Sequence, residues 1–119
     1  MQTIHQYAQT GEVDKMVELL QRGVNVDTLA QDKSTALHFA VFAEKSESVR
    51  FLLQHGASIN MKNQRGLTPL HIAANSGNEI ITVLLLENGA DPNAKDNAVC
   101  IYFSKINRKL IYKKKKMIN

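Results

Sequence analysis

Three histidines recur at one interval in this 119-residue chain: His5, His38 and His71, each 33 residues from the next. Imidazole is a common zinc ligand and the usual general base near neutral pH, so the spacing raises metal binding or Ser-His-Asp catalysis as the first question. Metal sharing fails on distance. Residues one interval apart would ride on neighbouring helices, whose axes pack roughly 8 to 10 Å apart, whereas zinc holds each ligand at about 2 Å. Cys100 is the single cysteine, which removes both an intrachain disulfide and a multi-thiolate zinc site and fits a reducing compartment. The sequence contains no Gly-x-Ser-x-Gly elbow, no His-Glu-x-x-His pair and no phosphate-cradling glycine loop. The chain is therefore expected to be no enzyme, with no metal and no cofactor.

The elements that carry the histidines share their period. Leu19, Leu52 and Leu85 fall 33 residues apart, as do Leu20, Leu53 and Leu86, then Gly23, Gly56 and Gly89, and the series Asp27, Asn60, Asn93. A fixed repeat of this length governs the reading of the whole chain. Thr68 before Pro69 is a helix start, the hydroxyl accepting from an unpaired amide and proline taking the first helical position. Leu70, Ala73 and Ala74 give that helix a narrow, small-residue face, and Asn75-Ser76-Gly77 ends it. A second helix follows, seen in the first unit as the stripe Val13, Met16, Val17, Leu20, with Gly23 as its stop. Turn-forming residues such as Ala57-Ser58-Ile59-Asn60 then lead into the polar stretches Ala30 to Lys33 and Asn63 to Gly66. Neither helix can hide its apolar face alone, so the core must form between successive units.

The run Thr-Pro-Leu-His-x-Ala-Ala at residues 68–74, followed by Gly77, three leucines at 84–86, Gly-Ala-Asp at 89–91 and Asn93, resembles the ankyrin repeat. Thr35, Leu37, His38, Ala40, Gly56, Ala57 and Asn60 carry the same pattern one unit earlier, and His5, Gly11, Gly23 and Asp27 mark a more polar first unit. The resemblance implies an all-α ankyrin-repeat solenoid of stacked helix-turn-helix units with short projecting β-turns. It spans residues 1–99, with repeats at about 2–33, 34–66 and 67–98. It further implies that each histidine bonds backbone or a nearby threonine hydroxyl, tying a turn to its helix. Two residues depart from the pattern. Gln2 stands where threonine is expected, and Glu44 takes the place of Gly11 and Gly77, so the second repeat's inner turn must either hold a strained left-handed glutamate or rearrange, and it is expected to be looser.

Function follows from the same resemblance: protein recognition, as an adaptor, scaffold or inhibitor, through the turn tips and the outward positions of the first helices, which line a concave face. The residues so placed are Gln31, Asp32, Lys33, Gln64, Arg65, Asp96 and Asn97 at the tips, with Phe42 and Asn75 on the helices. Phe42 stands where the neighbouring units have Gln9 and Asn75. An aromatic there reads either as an interface anchor or as a cover for the Glu44 turn.

The net charge of +4 is unevenly spread. Residues 1–104 hold eight Lys or Arg and eleven Asp or Glu, whereas residues 105–119 hold seven bases and no acid. Those bases are Lys105, Arg108, Lys109, Lys113, Lys114, Lys115 and Lys116. Beyond residue 98 the repeat fails, Ile101 to Ser104 standing where the next Thr-Pro-Leu-His should be, while Phe103, Ile106 and Leu110 keep a helical spacing. Residues 100–119 are thus expected to form a basic capping helix and tail. The rival functional reading belongs to this stretch: binding of nucleic acid or an anionic membrane, the stack being only a carrier. With 44% apolar residues and no secretory leader or long apolar run at its amino terminus, the chain is expected to be one intracellular, cytoplasmic domain, the basic cluster also fitting a nuclear-targeting signal.

Overall fold

A computed structural model describes residues 3–91. Among the described residues the chain forms six helices: α1 (Ile4–Thr10), α2 (Val13–Gln21), α3 (Ala36–Phe42), α4 (Ser46–Gln54), α5 (Pro69–Ser76) and α6 (Glu79–Glu87). They pair as α1/α2, α3/α4 and α5/α6. The first helices stack in one row, α1 on α3 on α5, and α4 lies between α2 and α6 in a second row. The core runs between the rows and through the stack, with Met16, Leu37, Leu52, Leu70, Ile81 and Leu85 each at most 2% exposed. Burying a side chain of this size is worth about 1.5 to 3 kcal/mol. The buried Ala40, Ala73 and Ala74 leave room for the first helices to approach one another.

The periodic columns have identifiable backbone work. At the end of α2 the amide of Gly23 donates to the Leu20 carbonyl at 3.1 Å and that of Val24 to the Leu19 carbonyl at 3.0 Å. The same pair recurs as Gly56 to Leu53 and Ala57 to Leu52, and as Gly89 to Leu86 and Ala90 to Leu85. This is the Schellman closure, which needs a left-handed residue just past the helix. Gly23, Gly56 and Gly89 supply it with φ of 93°, 83° and 96°.

The starts of α3 and α5 are closed by a threonine and a histidine acting together. The His38 amide donates to Thr35 Oγ1 at 3.4 Å, and the Thr35 amide donates to His38 Nδ1 at 3.0 Å. Thr68 and His71 repeat the arrangement at 3.3 and 2.9 Å, with Pro69 at the first helical position. Imidazole thus takes the place of glutamate in a capping box. The first unit departs from this. Thr3 caps α1 and Gln6 returns its side-chain oxygen to the Thr3 amide at 2.9 Å, so His5 sits one position earlier in its helix than His38 does.

The expected loosening at Glu44 is not found. Its φ is 58°, the left-handed value of the glycines it replaces. The Glu44 and Lys45 amides bond the Val41 and Ala40 carbonyls at 3.0 and 2.9 Å, as Gly77 and Asn78 bond Ala74 and Ala73. Backbone hydrogen bonds on both sides hold the turn in place against the local strain, and the Glu44 carboxylate accepts from Asn78 Nδ2 of the next repeat at 3.3 Å.

Candidate functional site

The polar stretches between repeats are tight projecting turns. Ala30 accepts from the Lys33 amide at 3.0 Å and donates to the Ser34 carbonyl at 2.9 Å, and Asn63 makes the matching bonds with Gly66 and Leu67. Lys33 and Gly66 are the left-handed residues of the two turns, with φ of 63° and 78°. Adjacent tips are joined directly, the Gln64 amide donating to the Asp32 carbonyl at 2.7 Å. The side chain of Asn63 stiffens its own tip by accepting from the amides of Arg65 and Leu67 at 3.0 and 3.1 Å.

Between these tips and the first helices lies an open groove of about 410 Å³. Asp32, Asn63 and Arg65 form its polar rim, and α3 contributes His38, Phe39 and Phe42. Ile72, Asn75 and Ser76 from α5 and Gln9 from α1 also line it. Four residues expected to bind a partner, Asp32, Phe42, Arg65 and Asn75, are brought together here. Gln31, Lys33 and Gln64 are exposed on the tips and do not line the groove. Asp96, Asn97 and the bases from Lys105 to Lys116 lie outside the described residues.

Phe42 is 73% exposed, which leaves it no role as a cover for the Glu44 turn. Phe39 and Ile72, one repeat apart, form the apolar floor and were not singled out from the sequence. On a helix of seven residues an apolar side chain facing the groove has the same spacing signature as one facing the core. The shared register of Phe39 and Ile72, apolar in both repeats next to outward-facing positions, is the signal that could have found them.

His38 is the buried hinge of the site. Thr35 donates its amide to Nδ1, so the ring proton resides on Nε2, which donates to the Leu67 carbonyl of the next repeat at 2.9 Å. Burial pushes the ring below the usual imidazole value, against the opposing pull of the Leu67 carbonyl. His5 Nε2 similarly meets the Thr28 carbonyl at 2.7 Å. At the rim, hydrogen bonds from the Ser34 hydroxyl and then the Ser34 amide hold the Asp32 carboxyl below the usual carboxylate range. Among the described residues no three His, Cys, Asp or Glu side chains gather in a way that could hold a metal ion, and no helix is long and apolar enough to cross a membrane.

A search of curated proteins returned no match. The family model for ankyrin repeats, in three copies, matches residues 4–96, and members of this family are generally protein-protein interaction modules, typically without catalytic activity. Paired helices in two rows, Thr-His caps and hydrogen-bonded projecting turns agree with that match: the chain belongs to the ankyrin-repeat family.

Proposed function

We propose that this chain is a non-enzymatic module that binds a protein partner through the groove between its first helices and its turn tips, serving as adaptor, scaffold or inhibitor. The observation that carries the reading is Phe42, a large aromatic 73% exposed at the edge of a groove floored by Phe39 and Ile72. Exposed aromatics framed by polar residues are what binding hot spots are made of. The frame around it is already ordered by bonds between tips and between repeats, so little conformational entropy remains to be lost on association. Both ring nitrogens of His38, the most buried titratable group at the groove, are engaged in structural bonds, which supports a role in shape and not in proton transfer.

Affinity capture with the intact chain and with Phe42→Asp tests the reading. Loss of the captured partner with helicity retained supports it. Capture that survives the substitution, disappears on removing residues 112–119 and weakens by orders of magnitude as salt is raised would assign binding to the basic stretch instead.

A further inference from the structure

We propose that the groove takes an extended peptide segment in which a bulky apolar side chain stands beside a carboxylate, Arg65 holding the acid. This rests on the groove reading above and adds the chemistry of the occupant.

Arg65 is exposed at the second tip, and its amide is spent on Asn63 Oδ1 at 3.0 Å. Its guanidinium has no hydrogen-bond or ion-pair partner among the described residues. A guanidinium carries five N–H donors in a planar fork and no acceptor, and the groups that fit it edge to edge are carboxylate and phosphate, of which carboxylate is the one an unmodified peptide carries. The nearest acid in the repeat register is Asp32 on the adjoining tip, and it is otherwise engaged. Its carboxylate accepts from the Ser34 amide at 3.0 Å and the Ser34 hydroxyl at 2.9 Å, which keep it anionic. Lys33 shares the first tip but does not line the groove, so the tips, locked side by side by the bond from Gln64 to Asp32, turn a negative group (Asp32) and then a positive one (Arg65) toward it. A partner's acid is repelled from Asp32 and drawn to Arg65, which gives the bound segment a direction.

The remainder of the groove is apolar. Phe39, Phe42 and Ile72 offer the surface on which a bulky side chain would lose its water. A volume of about 410 Å³ exceeds what one ion or water needs and falls at the small end of ligand sites, roughly 300 to 1,000 Å³, the size of a few residues. Asn75 stands beside this floor with its side-chain amide unspent on other described residues, suited to the peptide backbone of an extended chain. Nucleic acid fits poorly here. Phosphate backbones are held by several cations together, and this groove has one, next to an anion.

The test is selection of displayed random linear peptides on the intact chain, on Arg65→Glu and on Phe42→Asp, all three first shown to have equal helicity. The expected result is enrichment of an aromatic or large aliphatic residue next to Asp or Glu on the intact chain, and of the same apolar residue next to Lys or Arg on Arg65→Glu. A synthetic copy of an enriched peptide should bind the intact chain about tenfold more weakly when its acid is replaced by the amide. Enrichment lost with Phe42→Asp but indifferent in charge to Arg65→Glu would overturn this inference alone, leaving the groove reading in place. Enrichment that survives Phe42→Asp would overturn both. No enriched peptide, or a dimer in sedimentation that Phe42→Asp dissociates, would overturn the acidic segment, the latter by giving the groove to a second copy of the chain.

Discussion

Asp27 and Ser58, 31 residues apart, are joined twice: the Asp27 carboxylate accepts the Ser58 amide at 2.8 Å and the Ser58 hydroxyl at 2.7 Å. One repeat later Asn60 does the same work, its Oδ1 accepting the Asp91 amide at 2.9 Å. Asp27 and Asn60, the first two members of the Asp27, Asn60, Asn93 series, thus each bond one unit to the turn of the next, Asn93 lying outside the described residues. Asp27→Ala should lower stability by about 1 kcal/mol, the net worth of such a bond near the surface. Asp27→Asn should recover most of it, since asparagine already serves at position 60. Urea unfolding followed by helical circular dichroism checks both; equal losses for Ala and Asn would mean that the bond to the Ser58 amide contributes little.

His38 makes stability depend on pH. Protonation would place a second N–H on Nδ1, facing the Thr35 amide that now donates to it. The folded ring is held below its ordinary value by burial, so the unfolded chain takes up the proton more readily. Its contribution is therefore whole above about pH 6.5, the ordinary imidazole value, and is lost progressively as pH falls toward the lowered folded value. His38→Gln should keep the cap, as Gln6 does for Thr3, and flatten this part of the pH profile. At neutral pH it should cost about 1 kcal/mol through the missing bond to the Leu67 carbonyl. An unchanged slope between about pH 7.5 and pH 5.5 would remove His38 as the origin.

How much was legible in the sequence depended on whether one side chain type alone can do the job. The Leu-Leu-Gly columns were readable because only a residue at home with positive φ closes a Schellman turn over paired leucines, and α2, α4 and α6 end where those glycines stand. Thr68-Pro69 placed α5 for the same reason. The first unit was harder. Gln2 lies outside the described residues, and the cap falls to Thr3, a one-residue shift that no spacing rule distinguishes when two polar residues adjoin. At the site, Phe42 was legible as an aromatic in a polar column, whereas Phe39 and Ile72 were hidden among core residues of short helices. The turn at Glu44 misled because local strain, of order 1 kcal/mol, was weighed without the bonds that flank it.

Glu44→Gly should raise stability. A left-handed glutamate costs about 1 to 2 kcal/mol relative to a right-handed one, part of which is offset by the greater freedom glycine has when unfolded. The bond to Asn78 is exposed and at 3.3 Å is weak, so its loss matters little. A net gain of about 0.5 to 1 kcal/mol is expected. Glu44→Ala, which keeps the strain and discards the bond, should show none. A gain for alanine equal to that for glycine would place the benefit in removing the carboxylate and not in the backbone.

Ser48 carries the other correctable fault. Its side chain is fully buried on α4, and its hydroxyl has no hydrogen-bond partner among the described residues. The same register position is Ile81 in the next repeat, a fully buried core residue, which shows that the site is built to face the apolar interior. An unpaired hydroxyl there has given up its water for nothing, while alanine has no polar group to desolvate and a higher helix propensity. Ser48→Ala should therefore stabilise the fold by about 1 kcal/mol, seen as a higher urea midpoint with unchanged slope. A loss of stability instead would mean that the oxygen's volume fills space between α4 and its neighbours that alanine leaves empty, so that lost packing outweighs the relief of the buried hydroxyl.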